Sequence, residues 1–245
     1  MGNKGPTKHL KRHRSPAFWP IHRKGGTWAV KTSSGPHSQE TSIPTKVILR
    51  DQLNHAVTAR EAKSLIKNGK LLVDGKVRKD DKFPVGLMDV LTIPDSGETF
   101  RILPDHGGKL KFLSISKEES QTKLCRIIGK TTQRAGKTQL NLHDGSNLLV
   151  AAEADQYKVG DVLKIKVPEK EIQDYIEFKE MQYSIITGGR SQGAKGVITS
   201  LGPEAGWKKT ATIRTPEGDD IRTLAKYLFV VGTNEPVIKL EEVEE

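Results

Sequence analysis

Apolar positions along this 245-residue chain come mostly in short runs separated by glycines and Asp/Asn turns, and one run keeps a helical spacing. With residues set about 100° apart, Ala62, Leu65 and Ile66 fall on one side of a helix over 59–67, and Arg60, Lys63 and Lys67 on the other. Thr58 and Glu61 stand at capping-box spacing ahead of it, and Gly69 follows as a stop. Leu71, Leu72 and Val73 then read as a strand, Asp74-Gly75 as a tight hairpin turn, Val77 as the start of the return and 90–93 as a third strand. Further on, alternation predicts strands at 100–103, 110–115, 124–128, 138–142 and 162–167. Turn signals at Gly107-Gly108, Asp144-Gly145 and Gly160-Asp161 divide them, so the pattern predicts a small antiparallel barrel or sandwich. Residues 171–178 fit both helical and strand spacing. Residues 181–231 are again strand-like and glycine-punctuated, and no repeat of 20 to 50 residues is visible.

The apolar fraction is 35% and the aromatic fraction 5%. That is too little for one large core and better suited to several small modules. Four segments separate: a basic arm over 1–42, a mixed helix–strand unit over 43–97, a β-rich unit over 98–178, and a β-rich unit with an acidic tail over 179–245. The expected class is α+β and multidomain. No apolar run is long enough to span a membrane, and the apolar stretch around Phe18 and Trp19 is too short and proline-broken for a secretory signal. The lone Cys125 excludes an internal disulfide and fits a reducing, cytoplasmic setting; within its strand-like run it reads as a buried, inert thiol.

Charge changes the picture most. The first 39 residues hold no Asp or Glu but eight cations, Lys4, Lys8, Lys11, Arg12, Arg14, Arg23, Lys24 and Lys31. The formal charge is +10, and the other 206 residues carry 32 basic and 30 acidic side chains. Like charge concentrated in a Gly/Pro-punctuated arm calls for a polyanion, so the arm is expected to order only as nucleic acid neutralises it. Phe18, Trp19 and Trp28 either pack on the neighbouring unit, the favoured reading, or stack on unpaired bases; Trp207 has the same two readings. On the helix, like charges three and four residues apart repel, which favours a phosphate-facing surface extended by Lys70, Lys76, Arg78 and Lys79.

Glycines at 188, 189, 193 and 196, with Arg190 and Lys195 between strands, make either a tight glycine hairpin or a loop whose bare backbone approaches phosphate. Neither glycine cluster is a nucleotide-binding P-loop. Ahead of Gly136-Lys137-Thr138 the first required glycine is Thr131, and after Gly193 the lysine is replaced by Ala194. His9, His13, His22 and His37 lie among cations with no cysteine in the arm, so they read as RNA contacts rather than zinc ligands. No cofactor, metal or small-molecule substrate is expected.

The stretch from Ile43 to Ile93, with Thr58-Ala59-Arg60-Glu61-Ala62-Lys63 and Asp74-Gly75-Lys76-Val77-Arg78, resembles the S-four RNA-binding module. That family presents a helix pair and hairpin as a cationic surface to folded RNA, and the match implies RNA-facing roles for Arg60, Lys63, Lys67, Lys76 and Arg78. The loop Thr187-Gly188-Gly189-Arg190 through Gly196-Val197-Ile198 resembles the KOW motif, implying an SH3-like barrel and RNA-facing roles for Gly189, Arg190, Gly193 and Lys195. The order of parts, with Gly5-Pro6-Thr7-Lys8-His9-Leu10-Lys11-Arg12, Met88-Asp89-Val90 and Lys123-Leu124-Cys125, resembles the S-four-e family of small-subunit ribosomal proteins, of the archaeal type. The resemblance implies binding to small-subunit ribosomal RNA beside neighbouring ribosomal proteins, with structural and assembly roles and no catalysis. The rival from another class is a pseudouridine synthase carrying the same RNA-binding module.

Overall fold

The computed structural model describes residues 9–133, 136–150, 156–202, 209–233 and 235–241. Lys4, Lys8, Trp207 and most of the acidic tail lie outside them. The described chain is β-rich with few helices, as the pattern predicts.

Strands β1 (Leu10–Lys11) and β2 (Trp28–Ala29) pair antiparallel within the arm. They are followed by β3 (Ile43–Pro44) and by helix α1 (Thr45–Val47), which widens into a π turn over Ile48–Gln52. Helix α2 (Ala59–Lys67) comes next, with β4 (Leu72–Val73), β5 (Lys76–Val77), β6 (Pro84–Val85) and β7 (Val90–Ile93). The two-residue strands β3 and β6 pair with each other.

Helix α2 begins and ends where the sequence places it. The Thr58 hydroxyl accepts the Glu61 N–H at 3.2 Å, and the Glu61 carboxylate accepts the Val57 and Thr58 N–H groups at 2.9 and 3.2 Å. At the far end Gly69 takes φ +78°, and the Lys70 and Gly69 N–H groups close on the Leu65 and Ile66 carbonyls, a Schellman ending. Asp74 and Gly75 both have positive φ, 52° and 70°, the backbone of a two-residue hairpin turn.

Strands β8 (Glu98–Pro104) and β9 (Leu110–Ser114) complete a five-stranded sheet in the order β5-β4-β7-β8-β9. The sheet therefore runs straight across the expected division at 97/98, because Thr99 and Phe100 pair with Thr92 and Leu91. A second sheet contains β10 (Thr122–Thr132), β11 (Thr138–Leu142), β12 (Asn147–Val150), β13 (Val162–Lys166) and β14 (Glu171–Ile176), ordered β12-β11-β10-β13-β14. The segment that fits either period is thus a strand, and β12 is one the pattern does not reveal. The third sheet holds β15 (Tyr183–Ile186), β16 (Lys195–Leu201), β17 (Thr210–Arg214), β18 (Asp220–Leu224) and β19 (Leu228–Gly232), ordered β18-β17-β16-β15-β19.

Buried apolar residues form three clusters, and the sheets share them: Val90, Leu124 and Val230 lie in the same cluster. One corrects the expectation of an unstructured arm: Leu10 and Trp19 share a core with Val47, Ala62 and Ile66. Trp19 is 3% exposed and its indole N–H donates to the Ser42 carbonyl at 2.8 Å, so for this residue the packing reading holds. The arm's arginines satisfy main-chain carbonyls, while Ser33 and His37 reach the carboxylates of Asp80 and Asp89. Arg23 donates to the carbonyls of Arg12, Ser15 and Pro16 at 2.8–2.9 Å, and Arg12 to those of His22 and Trp28.

A candidate nucleic-acid interface and the charges behind it

Helix α2 carries one buried and one cationic face. Ala62 and Ile66 are fully buried, while Arg60, Lys63 and Lys67 are exposed. The Schellman ending hands the chain to Lys70, which pairs with Asp95 at 2.7 Å on the surface. Such exposed pairs are worth little. Across the hairpin turn Lys76 is exposed, and the half-buried Arg78 lies 4.4 Å over the Phe83 ring. In the arm, Lys11, Arg14 and Lys24 are exposed. Arg12 and Arg23 each spend guanidinium donors on main-chain carbonyls, so both also shape the arm.

The glycine loop divides in the same way. Gly189 and Arg190 are exposed at its tip. Gly193 is buried, and a Cβ there would stand 2.8 Å from the Asp105–His106 peptide. Gly196 sits so close to the Arg214 carbonyl that any side chain would overlap it. These two glycines allow the chain's own strands to approach. The Lys195 ammonium donates to the Leu240 carbonyl at 2.9 Å and pairs with Glu241 at 2.8 Å, leaving Arg190 as the loop's outward cation.

Behind this surface lies a charge cluster that the sequence does not announce. Lys123, on β10 and 2% exposed, pairs with Asp74 at 2.6 Å, Asp89 at 2.6 Å and Asp144 at 3.3 Å. Asp74 is the hairpin-turn residue itself, and its other oxygen accepts the Val90 N–H at 3.0 Å. Asp89, 1% exposed, also meets His37 at 3.0 Å and accepts the Gly86 N–H at 2.9 Å. Burial pushes the Asp89 carboxyl up, but Lys123 and His37 outweigh this and hold it far below the usual range. For Asp144, burial is likewise overcome by Lys123 and by bonds from Ser146, leaving it near about 2. Burial opposes the Lys123 charge too, yet Asp89 and Asp74 raise the ammonium well above its ordinary value. Asp74 differs: burial raises its carboxyl, and Lys123 offsets this only in part.

The same device recurs at other junctions. Arg101, fully buried on β8, donates to the Glu119 carboxylate at 2.5 Å and to the Thr122 carbonyl at 2.7 Å, tying the first sheet to the second. Arg126 on β10 donates to the Lys226 and Leu228 carbonyls at 2.8 and 2.9 Å, tying the second to the third. Cys125 is buried beside the cluster, and burial raises its thiol well above the ordinary value, so it is inert as expected. Among the described residues no His/Cys/Asp/Glu group could hold a metal ion, and no helix is long and apolar enough to cross a membrane.

An S-four-type helix and hairpin bearing an exposed cationic face, mounted on small β modules, defines an RNA-binding protein. Family models agree: the RS4NT domain matches residues 4–40, the S4 domain 47–91, and Ribosomal family S4e 96–172. Small ribosomal subunit protein eS4 of Methanothermobacter thermautotrophicus is 47% identical over 95% of this chain and 96% of that protein. Its counterparts from Methanosphaera stadtmanae and Ignicoccus hospitalis are 45% and 46% identical, over 98% of this chain and 98% of that protein and over 97% and 96% respectively. The crystal structure of the 30S ribosomal protein S4e from Thermoplasma acidophilum superposes with a TM-score of 0.67 at 30% identity, covering 79% of this chain and 96% of that one. The chain belongs to the ribosomal S4e family.

Proposed function

We propose that this chain is a structural constituent of the small ribosomal subunit, located at the ribosome, where it binds small-subunit ribosomal RNA beside neighbouring ribosomal proteins and supports assembly and translation. The observation that carries the reading is the sorted helix α2: three exposed cations on one face, none of them in a salt bridge among the described residues, on a chain whose family models and full-length relatives are ribosomal.

Arg60, Lys63, Lys67, Lys70, Lys76 and Arg78 form the RNA-facing surface of the module at 43–97. Lys4, Lys8, Lys11, Arg14 and Lys24 extend it along the arm at 1–42, with Arg12 and Arg23 shaping the arm. Gly189 and Arg190 present a third contact from the KOW-like loop of the unit at 179–245. Each neutralised phosphate releases counterions, so binding weakens steeply as salt rises. The function is assembly by contact and assigns the chain no reaction. The pseudouridine-synthase alternative rests on the S-four module alone, whereas the RS4NT and S4e matches flank that module on both sides.

Sedimentation of native lysate in low and high salt tests this. Cosedimentation with small subunits, lost as salt rises, is the expected result; a chain that stays at the top of the gradient in low salt overturns it.

A further inference from the structure

Between the arm hairpin and the helices lies a cleft of about 520 Å³, within the roughly 300–1,000 Å³ of small-molecule sites. Its charged lining is Arg12, Lys31, Lys46, Arg50 and Lys82, and among the described residues no carboxylate lines it. Lys46 and Arg50 are paired with Asp81 and Asp51, which stand outside the lining. Trp28 borders the cleft, 53% exposed, although Trp19 in the same arm is buried. The rings of Trp28 and His9 meet at 4.9 Å, so the cleft has an aromatic pair at its edge. Ile21, Val30 and Val47 supply its apolar wall. Ala59 also lines it, one residue before Arg60, so the cleft opens beside the cationic face of α2.

A half-exposed indole among cations, with apolar wall behind, matches one ligand chemistry closely. A base can stack on the ring while the flanking phosphates meet the lysines and arginines, the arrangement used for single-stranded nucleic acid. A duplex keeps its bases stacked inside and offers the indole nothing. We propose that this cleft binds an unpaired nucleotide of the RNA, its base stacked on Trp28, as a site distinct from the shape-reading surface of α2. The inference rests on the RNA-binding reading above and deepens it. It also gives the arm two parts: a core anchor at Trp19 and a base platform at Trp28.

The test uses the full chain with two probes, an unstructured single-stranded RNA octamer and a blunt RNA duplex, each followed by fluorescence anisotropy and by tryptophan emission. Single strand should quench the wild-type emission, and the quench should vanish in Trp28→Phe, which removes the reporter but keeps an aromatic face. Trp28→Ala should weaken the single strand about tenfold or more, with Trp28→Phe losing far less and duplex binding unchanged in both. Because Trp28 belongs to a short strand pair, Lys82→Gln serves as a second variant; it should make the salt dependence of single-strand binding shallower by about 0.7. Equal single-strand affinity in wild type and Trp28→Ala, or equal losses on strand and duplex, overturns the proposal while leaving the RNA-binding reading intact. Failure of the wild type to bind either probe would overturn both.

Discussion

Replacing Lys123 by Met removes the ammonium from between three carboxylates while keeping most of the side-chain volume. Asp89 keeps His37 and the Gly86 N–H, and Asp74 keeps the Val90 N–H, but the three acids are left facing one another in a buried site. Removing one partner from a buried ion network costs about 3–5 kcal/mol. The structure gives a scale of the same order. The Asp144 carboxyl titrates near about 2 instead of 3.8, which at about 1.4 kcal/mol per pKa unit is roughly 2 kcal/mol, shared between Lys123 and the Ser146 bonds. Asp89 is held lower still. At about 2–4 °C per kcal/mol for a chain of this size, the unfolding midpoint should fall by about 6–20 °C. The pH dependence is more diagnostic than the size. In the wild type the depressed carboxyls of Asp89 and Asp144 contribute stability that is present above their unfolded values and lost as pH falls through the folded ones. In Lys123→Met the carboxyl pKa values rise above those of the unfolded chain, so acidification from pH 7 towards pH 4 stabilises the variant relative to wild type. Denaturant unfolding of both proteins across that range measures the difference. A stability loss below about 1 kcal/mol, or a wild-type-minus-variant difference that does not shrink on acidification, would refute the network as the fastening between the first and second sheets.

Two further perturbations address separate parts of the account. Thr58→Ala removes the hydroxyl that caps α2 and should destabilise it by about 1 kcal/mol, seen as faster amide exchange at Glu61 and Ala62 with the three sheets unaffected. His143 is half-buried and satisfied as a neutral ring: its Nδ1 accepts the Arg126 N–H at 3.2 Å and its Nε2–H donates to the Leu87 carbonyl at 3.2 Å. Burial, reinforced by the Lys123 charge, lowers it to about 4. The unfolded chain therefore takes up the proton first, and stability is lost from about pH 6.5 down to about pH 4, on the order of 3 kcal/mol in all. His143→Gln should abolish that slope, and an unchanged slope would count against a neutral ring.

What could be read from the sequence was what local rules determine. The capping box at Thr58 and Glu61, the stop at Gly69 and the Asp74-Gly75 turn depend on residues within a few positions of each other, and each forms as its spacing predicts. The fastening at Lys123 could not be read that way, because its partners lie 21, 34 and 49 residues away. A lysine in a strand reads as solvated unless those distant acids are known to converge. Nor do strand patterns say which strands pair, which is why β8 and β9 extend the first sheet rather than opening the second. The arm illustrates a third limit. Its composition reports repulsion correctly, but Leu10, Trp19 and two arginines bonded to carbonyls are enough to seat residues 9–42 on the helices. The signal that could have found this was the spacing of Leu10, Phe18, Trp19 and Ile21 within an otherwise polar arm. In the glycine loop, four glycines looked alike in sequence, whereas Gly193 and Gly196 serve close approach of the chain to itself and only Gly189 is exposed.

The most direct measurement is the salt dependence of full-chain binding to small-subunit ribosomal RNA, compared between wild type and the triple variant Arg60→Ala, Lys63→Ala, Lys67→Ala. If α2 lays its cations along phosphates, log affinity falls linearly with log salt, and the triple variant shallows the slope by about 2–3 with the fold intact by circular dichroism. A wild-type slope near zero, or a triple variant with unchanged slope and affinity, contradicts it.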